Sequence, residues 1–159
     1  MPKPANPIPD GFHSVTPHIT IKAGAAAYID FLKRAFNAVE IDRSPGPGGK
    51  LMHALVRIGD SMLMMNDDFS REFHLPPVAE GNLPFVFNYY STDADAVWKQ
   101  AVDAGCTVAM PIADQFWGDR YGLLADPFGF KWAVASRKED LTQEERQARA
   151  ARVFGGGQS

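Results

Sequence analysis

The run Asp114-Gln115-Phe116-Trp117-Gly118-Asp119-Arg120-Tyr121-Gly122, followed by Asp126-Pro127-Phe128-Gly129-Phe130-Lys131-Trp132, decides the architecture of this 159-residue chain. It reads as a loop, a short strand, a tight turn and a final strand. In an Asp-Pro-x-Gly turn, Pro presets φ at the second position and Gly tolerates positive φ near the end. Asp126 is accordingly expected to spend its carboxylate on the turn itself. Trp132, Trp98 and Phe128 read as core aromatics.

Working outward, the residues before this run form a unit that also occurs earlier in the chain. Phe85 to Tyr90 reads as a strand, and Asp93 to Ala104 as a helix with Val97, Trp98, Ala101 and Val102 on one stripe. Gly105 caps that helix. Thr107 to Met110, Tyr121 to Ala125 and Lys131 to Ala135 are three further strands. The first half has the same order. Val15 to Ile21 alternates, with Val15, Pro17, Ile19 and Ile21 on one face and Thr16, His18 and Thr20 on the other. A helix from about Ala25 to Phe36 follows, then strands at Val39 to Arg43, Leu51 to Ile58 and Ser61 to Asn66. Gly59-Asp60 reads as a hairpin turn, and Ser44 to Gly49, rich in Pro and Gly, reads as an irregular loop. Strand, helix and three strands, twice over, predict an α+β fold of two βαβββ modules that bury their sheets by pairing. Asp67 to Asn82 is the connector.

Outside the repeat, residues 1–13 are expected to form an extended arm, with four prolines in the first ten positions and no apolar run. The modules occupy 14–67 and 83–136 of a single domain over 14–136, and residues 137–159 form a C-terminal helix and flexible tail. Thr142-Gln143-Glu144-Glu145 is a capping box that opens the helix. Arg146, Arg149 and Arg152 make one side of that helix basic: either a solvated face or an arm for a partner subunit.

Apolar residues make up 45% of the chain and charged residues 22%, with a net charge of −3 and no long basic run. That gives nucleic-acid binding little electrostatic support, and neither a nucleic-acid nor a membrane partner is expected. Cys106 is the single cysteine, so an internal disulfide is excluded, and a cytoplasmic location is expected. The chain carries no phosphate-binding Gly loop, nucleophile elbow, His-Glu-x-x-His or Cys-x-x-Cys.

With Val15-Thr16-Pro17, Ala35-Phe36-Asn37-Ala38, Met52-His53-Ala54, Ile58-Gly59-Asp60-Ser61 and the two runs quoted first, the chain resembles the vicinal-oxygen-chelate superfamily from Val15 to Ser136. Within it, the chain is similar to the glyoxalase/bleomycin-resistance-like branch that includes the phosphonate-operon protein B type. The resemblance implies that each module curls its sheet into half of a cup, that the cup interior binds a metal, a substrate or a drug, and that the protein is a homodimer. It also implies metal ligands on the first and last strands of each module. Those positions fall here at His18, near Met64, at Val86 or Asn88, and at Ala133, and Lys131 to Ser136 contains no glutamate. A divalent metal needs at least three converging donors of the His or carboxylate kind. The expectation is therefore no metal and no cofactor, with a divalent metal held by His18, His53 and Asp67 or Asp68 as the alternative.

The residues expected to contact a small, aromatic or apolar ligand are His18, Thr20, His53, Met62, Met64, Asn88, Tyr90, Trp117 and Arg120. His18 sits on the polar face of its strand, either as a ligand-bonding group or as a satisfied wall histidine. His53 lies among Leu51, Leu55 and Arg57. Met62 and Met64 share a strand face and suit an adaptable apolar surface or a plain core. Asn88 and Tyr90 share a face that excludes Tyr89. Trp117 and Arg120 could clamp an aromatic or anionic group; the alternative is a loop-stabilising contact, with Asp119 and Arg120 tying the turn. These residues predict a metal-independent binding protein, with a metal-dependent lyase or dioxygenase as the alternative.

Overall fold

The computed structural model describes residues 6–155; the expectations for residues 1–5 and for the tail at 156–159 lie outside them. The chain divides between Glu80 and Gly81 into two compact units. Both have the α+β build that the repeat predicts, each with a four-stranded mixed sheet and a helix between its first two strands, and the second unit adds a C-terminal helix.

The first unit runs β1 (His18–Ile21), α1 (Ala25–Phe36), β2 (Val39–Pro45), a short 3₁₀ turn (Pro47–Gly49), β3 (Leu51–Ile58) and β4 (Ser61–Asp67). The sheet order is β1-β4-β3-β2, with β1 parallel to β4 and the other pairs antiparallel. Ile19, Ile21, Ala54, Val56, Leu63 and Met65 are all buried, as are Tyr28, Ile29, Leu32 and Phe36 of α1. Each large apolar side chain so placed stabilises the unit by roughly 1.5–3 kcal/mol. Alternation along the strands sends the intervening residues to the opposite face.

The N-terminus of α1 has a cap from outside the helix. Its N-cap position is Gly24, at φ +109°, with no side chain to bond the first-turn amides. Asp67, at the end of β4, takes that role. One carboxylate oxygen accepts from the Ala25 amide at 2.6 Å and the other from the Leu51 amide at 2.6 Å. An anion at a helix N-terminus is favoured by the unpaired amides and the helix dipole.

The second unit runs β5 (Phe87–Tyr90), α2 (Ala94–Asp103), β6 (Thr107–Asp114), β7 (Asp119–Ala125), β8 (Lys131–Arg137) and α3 (Gln143–Phe154). Its sheet order, β5-β8-β7-β6, and its one parallel pair, β5 with β8, repeat the first unit. Asp93 caps α2 through the Ala96 amide at 3.0 Å, and Gly105 follows the helix at φ +119°. The Asp126 carboxylate bonds the Phe128 and Phe130 amides and the Trp132 indole, so it is a turn residue as expected. The Thr142–Glu145 capping box opens α3.

Several boundaries differ from the sequence expectations, and β5 starts at Phe87, two residues later than read. The strand β2 continues through Ser44 and Pro45 into the segment read as an irregular loop, β6 continues past Met110 to Asp114, and Asp119 and Arg120 belong to β7. Both β2 and β6 are edge strands with register breaks. An edge strand tolerates Pro45 and Pro111 because the missing N–H faces no partner. The strand β1 begins at His18 and leaves Val15 84% exposed.

Candidate functional site

In the first unit, β-register decides which candidates share a face. His18 lies opposite Met64 and Thr20 opposite Asn66 on the neighbouring β4. On β3, Leu55 lies opposite Met64 and Arg57 opposite Met62. His53, two residues before Leu55, has the same orientation. The sheet face turned away from α1 therefore carries His18, Thr20, His53, Met62 and Met64. The two imidazoles meet edge to face, with ring centroids 5.6 Å apart. Thr20 donates its hydroxyl to the Asn66 side-chain oxygen at 3.3 Å. Met62 and Met64 are half-buried. A Cβ built on Gly11 would lie 3.3 Å from the Met62 methyl, so the segment before β1 already covers part of this face.

In the second unit, Asn88 lies opposite Ala133 and Tyr90 opposite Ala135. Asn88 is exposed, and Tyr90 is 57% exposed. The Tyr90 hydroxyl donates to Asp119 Oδ2 at 2.8 Å, and the Trp117 indole N–H reaches the same oxygen at 3.2 Å. This bond to Asp119, with desolvation second, holds the Tyr90 hydroxyl above its ordinary range. Trp117 also packs against Tyr121, with ring centroids 5.3 Å apart. Tyr90 and Trp117 thus share one carboxylate.

Arg120 is not brought to them. It lies opposite Ser136, whose hydroxyl bonds the first amide of α2, so its strand face is the helix side. Its guanidinium grips both oxygens of Asp95 at 2.7 and 2.8 Å and reaches Asp114 at 3.2 Å. The pairing of Trp117 with Arg120 as a clamp fails because Asp119 and Arg120 are consecutive strand residues and point to opposite faces. Asp119, expected only to tie the turn with Arg120, is the carboxylate that Tyr90 and Trp117 share. It is only 7% exposed, and its signal was its place in Trp-Gly-Asp-Arg.

The family-type metal site does not fit these residues. The two register pairs that stand where ligands are expected are His18 with Met64 and Asn88 with Ala133, which amount to one imidazole, a thioether, an amide and a methyl. Among the described residues, no three His, Cys, Asp or Glu side chains gather as a metal-holding group. Asp67, the carboxylate of the alternative reading, has both oxygens committed to backbone amides. Asp68 accepts from the Ser70 amide at 2.8 Å, and its bonds to Ser70 hold its carboxyl below the ordinary range.

Known proteins with this fold and sequence pattern were found by comparison. Residues 17–134 match the model of the Glyoxalase/Bleomycin resistance protein/Dioxygenase superfamily. An uncharacterized protein of Mycobacterium bovis is 41% identical over 138 residues, covering 85% of this chain and 90% of that one. Protein PA1353 from Pseudomonas aeruginosa has a similar crystal structure, with a TM-score of 0.63 and 20% identity, covering 79% of this chain and 98% of that one. The PhnB protein from Bacillus cereus is similar with a TM-score of 0.62 and 13% identity, covering 78% and 99% respectively. No helix among the described residues is long and apolar enough to cross a membrane. The repeated sheet-and-helix unit, its register and the family match over residues 17–134 together place this chain in the glyoxalase/bleomycin resistance protein/dioxygenase superfamily.

Proposed function

We propose that the protein binds a small aromatic or apolar molecule without a divalent metal, using the sheet faces turned away from the helices. The observation that carries this reading is the grouping of His18, His53, Met62 and Met64 on one face of the first sheet. Methionines give an adaptable, polarisable apolar surface, and two imidazoles at its edge supply hydrogen bonds and ring contacts. Thr20 extends the same face, and Asn88, Tyr90 and Trp117 are proposed as ligand contacts on the second unit's own sheet.

The test is an ¹⁵N–¹H NMR titration with indole. Saturable shifts at His18, His53 and Met64, weakened several-fold by His18→Ala and by Met64→Ala, are expected. Titration without saturable shifts at these positions overturns the reading. Elemental analysis belongs beside it: stoichiometric metal in the purified protein, lost in His18→Ala, would replace this reading with the metal-dependent one.

We propose also that the protein is a homodimer. The edge strand β2 leaves Val39 and Ile41 45% and 48% exposed, and an unpaired apolar edge favours a second chain. Sedimentation velocity showing a monomer at micromolar concentration would refute this.

A further inference from the structure

Beyond residue 134, where the family match ends, the second unit builds a wall of its own. After β8 the chain turns back on the loop between β6 and β7. The amides of Lys138 and Glu139 both donate to the Gly118 carbonyl, at 2.9 and 3.0 Å. Gly118 sits at φ +97°, and a Cβ there would lie 3.1 Å from the Glu139 carbonyl oxygen, so the close approach requires glycine. The helix α3 is then fastened to the same loop. Arg149 holds both oxygens of Glu139 at 2.9 and 2.7 Å, and Phe154 meets Phe116 edge to face with centroids 5.5 Å apart.

This wall closes one side of an open pocket of about 460 Å³, lined by Tyr90, Trp117, Asp119, Arg137, Glu139 and Arg146. Two of its four charged groups are already used. Glu139 is held by Arg149, and Arg137 pairs with Asp140. The other two have unspent capacity. Arg146 donates to the Leu141 carbonyl and, among the described residues, has no carboxylate partner. Asp119 is more than nine-tenths buried, yet Oδ2 takes both of its hydrogen bonds. No buried polar side-chain atom lacks a partner among the described residues, so the unbonded Oδ1 keeps its access to solvent.

We propose that this pocket binds a small organic acid that carries a hydroxyl or amino group a few bonds from its carboxylate. The carboxylate pairs with the planar fork of Arg146, which suits bidentate recognition. The hydroxyl or amino hydrogen is accepted by Asp119 Oδ1. Tyr90 and Trp117 offer ring faces to the body of the ligand. A monoanion fits better than a phosphate dianion, because Asp119 and Glu139 bring negative charge to the same walls. The pocket volume lies in the range of small-molecule sites, roughly 300–1,000 Å³. The inference deepens the proposed function, since it gives a ligand class to the Tyr90 and Trp117 end of that reading.

The experiment is an NMR titration of the full chain with mandelate, phenylacetate and phenyl phosphate, read at the Trp117 indole N–H and the Arg146 Nε–H. Mandelate is expected to shift both signals saturably, and phenylacetate, which lacks the hydroxyl, to bind about tenfold more weakly. Arg146→Gln should weaken mandelate at least tenfold; Arg146 is exposed, and its loss leaves the capping box of α3 intact. Equal mandelate binding by Arg146→Gln, tighter binding of phenyl phosphate, or unmoved Trp117 and Arg146 signals would each overturn the proposal. If indole still shifts His18, His53 and Met64 while mandelate leaves Trp117 unmoved, this inference alone falls. If both titrations are flat at their sites, the binding reading falls with it.

Discussion

At the start of their helices, the two units each satisfy the first amide, Ala25 or Ala94, from the last strand, but they carry the negative charge in different places. The first has Gly24 at the N-cap and a carboxylate, Asp67, reaching in from the last strand. The second has a carboxylate at the N-cap, Asp93, and a neutral hydroxyl, Ser136, at the end of its last strand. Ser136 accepts from the Ala94 amide at 2.9 Å and donates to the Ser91 carbonyl. Either arrangement puts one negative group at the positive end of the helix. The cores show the same trade in volume. Ile29 of α1 and Ala54 of β3, both fully buried, occupy the places held in the second unit by Trp98 and Gly122. A larger helix residue is matched by a smaller strand residue, as close packing demands. The repeat therefore keeps one negative charge at the helix start and one helix–strand contact in the core, and lets the residues that make them vary.

The largest effect is expected where this exchange of volume is broken. A Cβ on Gly122 would lie 2.5 Å from the Trp98 ring and 2.8 Å from the Ile112 Cα, so Gly122→Val should destabilise the protein by about 3 kcal/mol or more. Urea unfolding measures it. Combining Gly122→Ala with Trp98→Ile, which rebuilds the Ile29 and Ala54 pairing, should recover the part of the Gly122→Ala loss that comes from the indole and leave the part that comes from the Ile112 backbone. If the double variant is merely the sum of its singles, the two sites are not equivalent.

Next comes the exchange of charge. Asp67→Ala strands two amides from a charged acceptor and should cost about 3 kcal/mol, against about 1–2 kcal/mol for Ser136→Ala. Equal losses in chemical denaturation would show that Asp67 works as a plain hydrogen-bond acceptor, with no added value from its charge.

A smaller effect separates the units by their chemistry, for only the second carries a thiol. Burial first, and the charge of Asp126 second, push Cys106 from its ordinary value near 9 up to about 12. The native protein should react with a thiol reagent at pH 8 far more slowly than the unfolded chain. Because the folded pKa is raised, the unfolded chain loses this proton first. The stability that Cys106 supports is fully present below pH 9 and is lost between about pH 9 and 12. Replacing Cys106 with Ala should flatten that part of the stability profile.

The smallest effect is spectroscopic. Asp119→Asn replaces the charged acceptor that holds the Tyr90 proton with a neutral one, so Tyr90 should ionise at lower pH in the variant. Ultraviolet titration against Tyr90→Phe assigns the signal. An unchanged profile would break the link between Tyr90 and Asp119 on which the second-unit pocket depends.

Much of this was legible along the chain because alternation and helical spacing are local. The period-two pattern at His18 to Ile21 fixed which side of β1 is buried, and the Met62 and Met64 face followed from the same rule. The turn chemistry of Asp126 and the capping box at Thr142 are also short-range, and both formed as read. The extension of β6 through Pro111 was not legible, because edge position excuses a proline and edge position is a property of the whole sheet.

The sequence by itself determined the two modules, the order of their elements and the faces of the strands that alternate cleanly, since each depends on neighbours within a few residues. Only the tertiary structure decided what the polar residues do. It gave Asp67 to the helix cap, Arg120 to Asp95, and Asp119 to Tyr90 and Trp117. A charged side chain takes the partner that folding brings within hydrogen-bond reach, and those partners stand 42, 25 and 29 residues away for Asp67, Arg120 and the Asp119–Tyr90 bond. Local spacing carries no information about such pairings.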